Sequence, residues 1–185
     1  MKLAFLVFAV AFFGGCASGA VSKSMVPKDL TVANIHPYSV TVKVEGGRET
    51  DAAGTPQISS QEFQAAIVES LTTYGVFKTV LTEGNIDYKL EAAILNLQQP
   101  LFGFNMTVTI ETVWKLTNLK GGSTVMRENL TNSFSATPGD AFAAVTWLRL
   151  ATEGAARENI RDALKKISEK KTLIHRSSPA DDESP

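Results

Sequence analysis

The sequence predicts an α+β domain: an antiparallel-rich sheet of four to five strands with two helices packed on one face, of which the C-terminal helix is long. Three observations support this prediction. Several stretches alternate apolar and polar residues, which is typical of strands with one buried face. Residues 59–74 and 138–169 instead repeat apolar residues at helical spacing. Their order along the chain, strands around a first helix and a long helix last, indicates the α+β class.

The first clear elements are a strand and a helix. Residues 38–45 alternate strictly and predict a strand with one wet face. A helix over 59–74 begins at the capping box Ser59-x-x-Glu62, in which two side chains satisfy each other's backbone N–H groups. Gly75 follows at the position where a glycine commonly closes a helix.

The later strands are marked by alternation and by turns. Residues 86–97 alternate until the pattern changes parity at Leu95, which predicts a β-bulge. Residues 106–117 alternate throughout, and residues 118–122 then form a predicted hairpin turn. Further strands are predicted over 31–33, 78–82 and 125–135.

The last helix is predicted over 138–169. Thr137 is its expected cap, Pro138 its first residue and Asp140 an acid in its first turn. The polar residues 172–185 are predicted to be a disordered tail. A single α+β domain therefore spans residues 31–171.

The chain begins with the pattern of a signal peptide. Lys2 precedes an apolar run over 3–13, too short to span a hydrocarbon core of about 30 Å. Phe13-Gly14-Gly15-Cys16 resembles a bacterial lipobox, although the motif prefers Leu where Phe13 stands. We expect residues 1–15 to be the signal peptide, with cleavage between Gly15 and Cys16 and acylation of Cys16.

The residues after Cys16 determine where and how the domain is held. Residues 16–30 are small and polar, and they predict a flexible tether averaging about 20 Å and reaching about 50 Å when stretched. Ala17 is not Asp, and similarity to enterobacterial sorting then implies the outer membrane, with the domain facing the periplasm.

Composition argues against several functions. The formal net charge is -1, which disfavours nucleic acid as the main partner. One cysteine and two distant histidines, His36 and His175, offer little material for a zinc site or a Cys–His nucleophile. We predict no catalytic residues, no metal site and no cofactor. The oligomeric state is left open.

Four segments carry a resemblance to a known group of proteins. They are HPYSVTVKVEGGRET, SQEFQAAIVESLTTYGVFKTV, DYKLEAAILNLQQP and SATPGDAFAAVTWLRLATEGAARENI, which lie within residues 31–168. Through them the chain resembles small, uncharacterised bacterial outer-membrane lipoproteins. The element order is more distantly similar to auxiliary lipoproteins of ABC-type transport, lipopolysaccharide-assembly lipoproteins and lipoprotein activators of peptidoglycan synthases. This resemblance implies a non-enzymatic adaptor that binds a membrane or envelope-assembly partner; a lipid- or glycan-binding carrier is the alternative.

Two candidate sites emerge from the residues. Gly46-Gly47-Arg48 either forms an anion-binding loop of backbone N–H groups or is a simple turn. A partner surface is predicted from two groups of residues. For the first group the alternative is packing into the core, and for the second group it is a solvated helix face. These are the apolar loop residues Leu101, Phe102 and Phe104, and the charged residues Arg149, Glu153 and Arg157 at successive helical turns.

Overall fold

The computed structural model describes residues 18–52, 54–100, 106–137, 139–140, 144–171 and 173. Within them the chain forms five strands and three helices. The strands are β1 (His36–Glu45), β2 (Phe77–Val80), β3 (Tyr88–Gln98), β4 (Met106–Asn118) and β5 (Thr124–Ala136). The helices are α1 (Ser22–Met25), α2 (Ser60–Tyr74) and α3 (Ala144–Glu169). The α+β class and the long C-terminal helix are confirmed.

The strands form one mixed sheet in the order β2-β1-β3-β4-β5. β1 is parallel to both β2 and β3, while β3, β4 and β5 pair antiparallel. The predicted preponderance of antiparallel pairs is therefore wrong, because two of the four pairings are parallel. The cause is the crossover of α2, which returns the chain to the end of the sheet where β1 began.

One face of the sheet is covered by helices. Val40, Leu90 and Trp114 point to this face and are fully or almost fully buried, and both α2 and α3 pack on the sheet there. The opposite face carries polar side chains, including an ion pair of 2.8 Å between Lys89 and Glu91. This arrangement confirms the predicted alternation, although the described residues form three helices rather than two.

The ends of α2 follow the sequence signals in part. Ser59 Oγ accepts a hydrogen bond from the Glu62 N–H at 3.2 Å. Glu62 does not return the bond, because its carboxylate binds the Ser22 N–H at 2.5 Å. Gly75 closes the helix in the left-handed region, with φ of 61°, and its N–H is bonded to the Leu71 carbonyl.

Strand boundaries were predicted to within a few residues. The extra residue at Leu95 is confirmed, since the register between β3 and β4 shifts between Ile94 and Asn96. Residues 31–33, which the structure describes, do not form the predicted strand. Instead, β1 starts earlier than expected, at His36, and includes Pro37 next to an irregularity in its pairing with β2.

The start of α3 differs from the prediction. Within the described residues the helix begins at Ala144 rather than at 138. Thr137 and Asp140 form a local turn, in which Asp140 Oδ2 accepts bonds from the Thr137 N–H at 2.6 Å and from its hydroxyl at 2.9 Å. Further along α3, a Cβ added to Gly154 would lie 2.2 Å from Phe134 Cδ1. Gly154 thus allows the helix to approach β5 closely.

Residues from two segments expected to be mobile pack on the domain. The predicted tether of residues 16–30 is not a free linker from Ser18 onward, because Ala20 is 3% exposed and Met25 is fully buried. Similarly, Leu173 in the predicted tail is buried, and its carbonyl accepts a hydrogen bond from the Tyr88 hydroxyl. The other residues of the predicted tail, and Cys16 and Ala17, lie outside the described residues.

Candidate functional site

The predicted charged row on α3 lies against the chain's own N-terminal segment. Arg149, Glu153, Arg157 and Arg161 follow one another at intervals of four residues, so they share one side of the helix. Opposite them lies the segment of residues 18–29, here called the N-terminal strap, which contains α1. Contacts to the strap come from every member of this row.

Glu153 lies at the centre of the row and is 3% exposed. Its Oε1 accepts a hydrogen bond from the Val21 N–H at 3.2 Å and lies 3.8 Å from Arg149 Nε. Burial raises the pKa of the Glu153 carboxyl, while the Val21 N–H and the guanidinium of Arg149 oppose that rise. The alternative that this side chain belongs to a solvated helix face is therefore wrong.

The three arginines bind along the strap. Arg149 Nη1 donates to Ser18 Oγ at 2.6 Å, and Arg157 Nη1 donates to the Ser24 carbonyl at 2.8 Å. Arg157 also lies over the ring of Phe134, 5.4 Å from its centroid. Arg161 forms an ion pair of 3.0 Å with Asp29. The row thus holds the strap at both of its ends and in its middle.

Helix α2 holds the other side of the strap. The carboxylate of Glu62, in its first turn, accepts the hydrogen bond from the Ser22 N–H. The hydroxyl of Tyr74, its last residue, donates to the Pro27 carbonyl at 2.8 Å. Because both helices bind it, the strap closes the groove between α2 and α3 and buries Met25 there.

The glycine pair after β1 is required by packing. Gly46 has φ of +80°, and a Cβ there would lie 2.1 Å from the Ile94 carbonyl oxygen; a Cβ on Gly47 would lie 2.2 Å from the Ser60 nitrogen. The N–H groups of Gly47 and Arg48 are bound by Ser60 Oγ at 3.1 Å and by the Ile58 carbonyl at 2.9 Å. These two donors are therefore engaged within the protein, which supports the turn rather than an anion-binding loop.

Several predicted site residues lie outside the described residues. They are Gly15 and Cys16 at the expected cleavage and acylation site, and Leu101, Phe102 and Phe104 in the apolar loop. The nearest described residues are Pro100, two positions after the end of β3, and Met106, the first residue of β4. The partner surface of the loop stays a prediction.

A buried polar network was not identified from the sequence. Trp114 Nε1 donates to Thr112 Oγ1 at 2.9 Å and to Asn159 Oδ1 at 3.0 Å. The amide of Asn159 donates to Asn132 Oδ1 at 2.9 Å, and the amide of Asn132 donates to Asp162 Oδ2 at 2.7 Å. These bonds join α3 to β4 and β5. The sequence feature that could have indicated this network is Asn159, a polar residue at an otherwise apolar position of the helical repeat.

A groove of about 540 Å³ lies between the strap, the end of β5 and the first half of α3. Its walls combine the apolar side chains of Val26, Phe134 and Leu150 with the charged side chains of Lys23 and Asp140. This volume is in the range of small-molecule sites. The groove is the feature of the structure that bears on a carrier function.

The described residues place no three potential metal ligands of the His, Cys, Asp and Glu types together. Among the described helices, none combines the length and apolar character needed to cross a bilayer.

The fold is shared with solved structures, although no family model and no curated protein matches the sequence. A Xanthomonas campestris protein of family DUF330 aligns with a TM-score of 0.62 at 14% identity, over 81% of this chain and 92% of its own. PelC of Paraburkholderia phytofirmans, solved as a dodecamer, aligns with a TM-score of 0.50 at 14% identity, over 76% and 94% of the two chains.

A third similar structure is a minor lipoprotein from Acinetobacter baumannii, with a TM-score of 0.45 at 11% identity, over 76% of this chain and 93% of its own. This TM-score is too low for the likeness to carry an argument. At such identities the first two matches show a common fold and nothing about function. Function must therefore be argued from the strap and from the residues that hold it.

Proposed function

We propose that this chain is a lipid-anchored protein of the bacterial cell envelope, attached to the outer membrane through acylated Cys16 and facing the periplasm. Within the envelope it acts as an adaptor that binds another protein without catalysis. The observation that carries the proposal is the packed strap. Ser18 is held by Arg149 only two residues after the lipobox cysteine, so an acylated Cys16 would join the membrane directly to a folded domain.

An adaptor function agrees with how two carboxylates with shifted pKa values are used. Glu153 holds the strap, and Asp87 accepts bonds from the N–H and hydroxyl of Ser39, both at 2.9 Å, while pairing with Lys120 at 2.7 Å. Both acids thus have structural partners that account for their positions. These contacts support the proposal that the domain presents surfaces rather than a reaction centre.

Two surfaces suit a protein partner: the loop containing Phe102 and the outer edge of β5. The charged row of α3 is excluded because the strap occupies it. β5 is a thirteen-residue edge strand, whereas β2 at the opposite edge has only four residues. A long edge presents many backbone donors and acceptors to an incoming strand, and short edges avoid such pairing. We assign the partner to these two surfaces.

In-cell photo-crosslinking tests the adaptor proposal. A photoreactive amino acid is placed at Phe102 or at Thr131, an exposed residue of β5, and captured proteins are identified by mass spectrometry. Thr79, an exposed residue of β2, is the matched control on the opposite edge. One envelope protein captured from Phe102 or Thr131 but not from Thr79 supports the proposal. Capture of lipid or glycan alone from Thr131 would favour the carrier, and crosslinks only within the chain would contradict a partner surface there.

The anchor is tested separately by replacing Cys16 with Ala. We expect a larger, unprocessed precursor without acyl chains. This variant therefore lacks the stable attachment that two or three chains provide. Membrane separation by density then distinguishes the outer membrane from the inner. Normal processing of the Cys16→Ala variant would contradict the lipoprotein assignment.

A carrier is the second candidate, and the groove beside the strap is the observation that favours it. Native mass spectrometry of the purified protein would show a retained ligand as added mass. A Leu150→Trp variant fills the groove and should remove that mass. A ligand-free spectrum from protein purified without detergent would contradict the carrier function.

A further inference from the structure

The strap defines where the membrane anchor leaves the domain. Two residues of extended chain span at most about 7 Å, so Cys16 stays within that distance of Ser18, which Arg149 holds at 2.6 Å. A free tether over 16–30 would instead have allowed about 50 Å. This placement of the domain rests on the proposed acylation of Cys16, because the acyl chains then fix the anchor point at the bilayer.

Ser18 lies at one end of the sheet, here called the anchor end. Arg149, its partner, is near the start of α3, and the neighbouring residue Thr152 accepts a bond from Gln99 Nε2 at 3.1 Å. Met106 and Ala136, the first residue of β4 and the last of β5, pair with each other. The β4–β5 hairpin lies at the other end, and β4 separates the two ends by about 40 Å over its thirteen residues.

The anchor end also carries exposed apolar side chains. Val21 and Val145 are 45% and 41% exposed. Both lie beside Ser18: Val21 lines the same small cavity as Ser18, and Val145 lies one helical turn before Arg149, which binds Ser18. Apolar residues grouped around an anchor point suit the boundary between headgroups and acyl chains.

We propose that the anchor end rests directly on the phospholipid bilayer through Val21 and Val145, with the β4–β5 hairpin pointing away from the membrane. The acylated cysteine makes this contact intramolecular, so a weak contact is sufficient to orient the domain. Exposed charges of both signs lie near this contact, among them Lys23, Arg48 and Glu49, and we assign the contact to the apolar side chains rather than to these charges. The contact should therefore persist when salt is added.

The test measures which end of the lipidated full-length protein is near lipid. Val145→Cys and Leu119→Cys variants are labelled with a nitrobenzoxadiazole fluorophore; Cys16 is blocked by its acyl chain. Leu119 is the matched control, since it is 43% exposed and lies in the distant hairpin. Each protein is reconstituted in vesicles of phosphatidylethanolamine and phosphatidylglycerol that contain a headgroup nitroxide quencher. A Val21→Cys variant provides a second position, and thermal unfolding checks that the labelled proteins remain folded.

We expect the label at Val145 to lose most of its fluorescence, before and after addition of salt, and the label at Leu119 to keep it. If the protein floats with the vesicles but both labels are quenched equally, or neither is quenched, the proposed orientation is overturned while the anchor stands. If the protein does not float and its mass shows an unacylated Cys16, the proposed function fails and the orientation fails with it.

Discussion

Replacing Met25 with Ala tests whether the strap is part of the folded domain. Met25 is fully buried between α2 and α3. Truncating a buried Met to Ala costs about 2–5 kcal/mol, because transfer energy is lost and a cavity remains. The substitution should therefore lower the free energy of unfolding by about that amount if the strap and the domain unfold together. For a free tether the expected change is zero.

The strap can also open by itself, and the assay must detect that event. If opening the strap costs less free energy than unfolding the whole domain, Met25→Ala can lower the free energy of global unfolding by no more than that smaller cost. A loss of about 2 kcal/mol then raises the open population about thirtyfold. Trypsin cleavage after Lys23 and Lys28, two lysines of the strap, should accelerate by a similar factor.

The measurements are urea unfolding and trypsin cleavage rates on the mature protein carrying Cys16→Ser. Ile35→Ala is the matched control, because it removes a similar apolar side chain that is 69% exposed. Unchanged unfolding together with unchanged cleavage at both lysines would refute the packed strap. It would also reinstate the flexible tether predicted from composition.

Three other substitutions test specific contacts. Gly154→Ala should destabilise the protein by about 1–3 kcal/mol, because the added methyl group overlaps with Phe134. In a Phe134→Ala background the same change should stabilise the protein by up to about 1 kcal/mol, because alanine has the higher helix propensity. Thermal unfolding of both pairs shows whether the sign of the effect reverses. Asp87→Asn should cost at most about 2 kcal/mol at neutral pH, because the Lys120 pair and Ser39 hold the pKa of Asp87 at about 2 against 3.8, and solvent screening of exposed Lys120 reduces that value. This cost should disappear as the pH falls through about 2, and a pH-independent loss would contradict the ion pair. Glu153→Gln preserves a hydrogen-bond acceptor for the strap and removes a carboxyl whose pKa is raised by burial. The stability of the unmodified protein relative to this variant should therefore increase as the pH falls from neutral toward 4.5. A difference in urea unfolding that stays constant with pH would contradict the raised pKa.

Elements with strong local signals could be predicted from the sequence. The helix ending at Gly75, the bulge at Leu95 and the hairpin after Asn118 each depend on residues adjacent in the chain. The direction of pairing in the sheet does not depend on such residues. β1 and β3 are parallel because of where α2 and β2 return the chain, and no pattern within either strand records that path.

The candidate site was recognised by its residues but not by its partner. The spacing of Arg149, Glu153 and Arg157 placed them on one helix side, and periodicity cannot show which surface lies opposite. Composition predicts a tether in place of the strap because the strap residues are small and polar. Its few apolar side chains gain their burial from helices 40 and 132 positions away, as the bonds to Glu62 and Glu153 show.

If the chain is exported as proposed, the contacts of the strap also impose an order of events during export. A chain that crosses the inner membrane amino end first delivers Ser18 early, and the residues that hold it, from Arg149 to Arg161, come near the end of the chain. Until they arrive, the strap has no surface on which to pack, and the proposed cleavage site before Cys16 is open to a peptidase. Packing of the strap therefore waits until α3, the last helix of the domain, has been delivered and has folded.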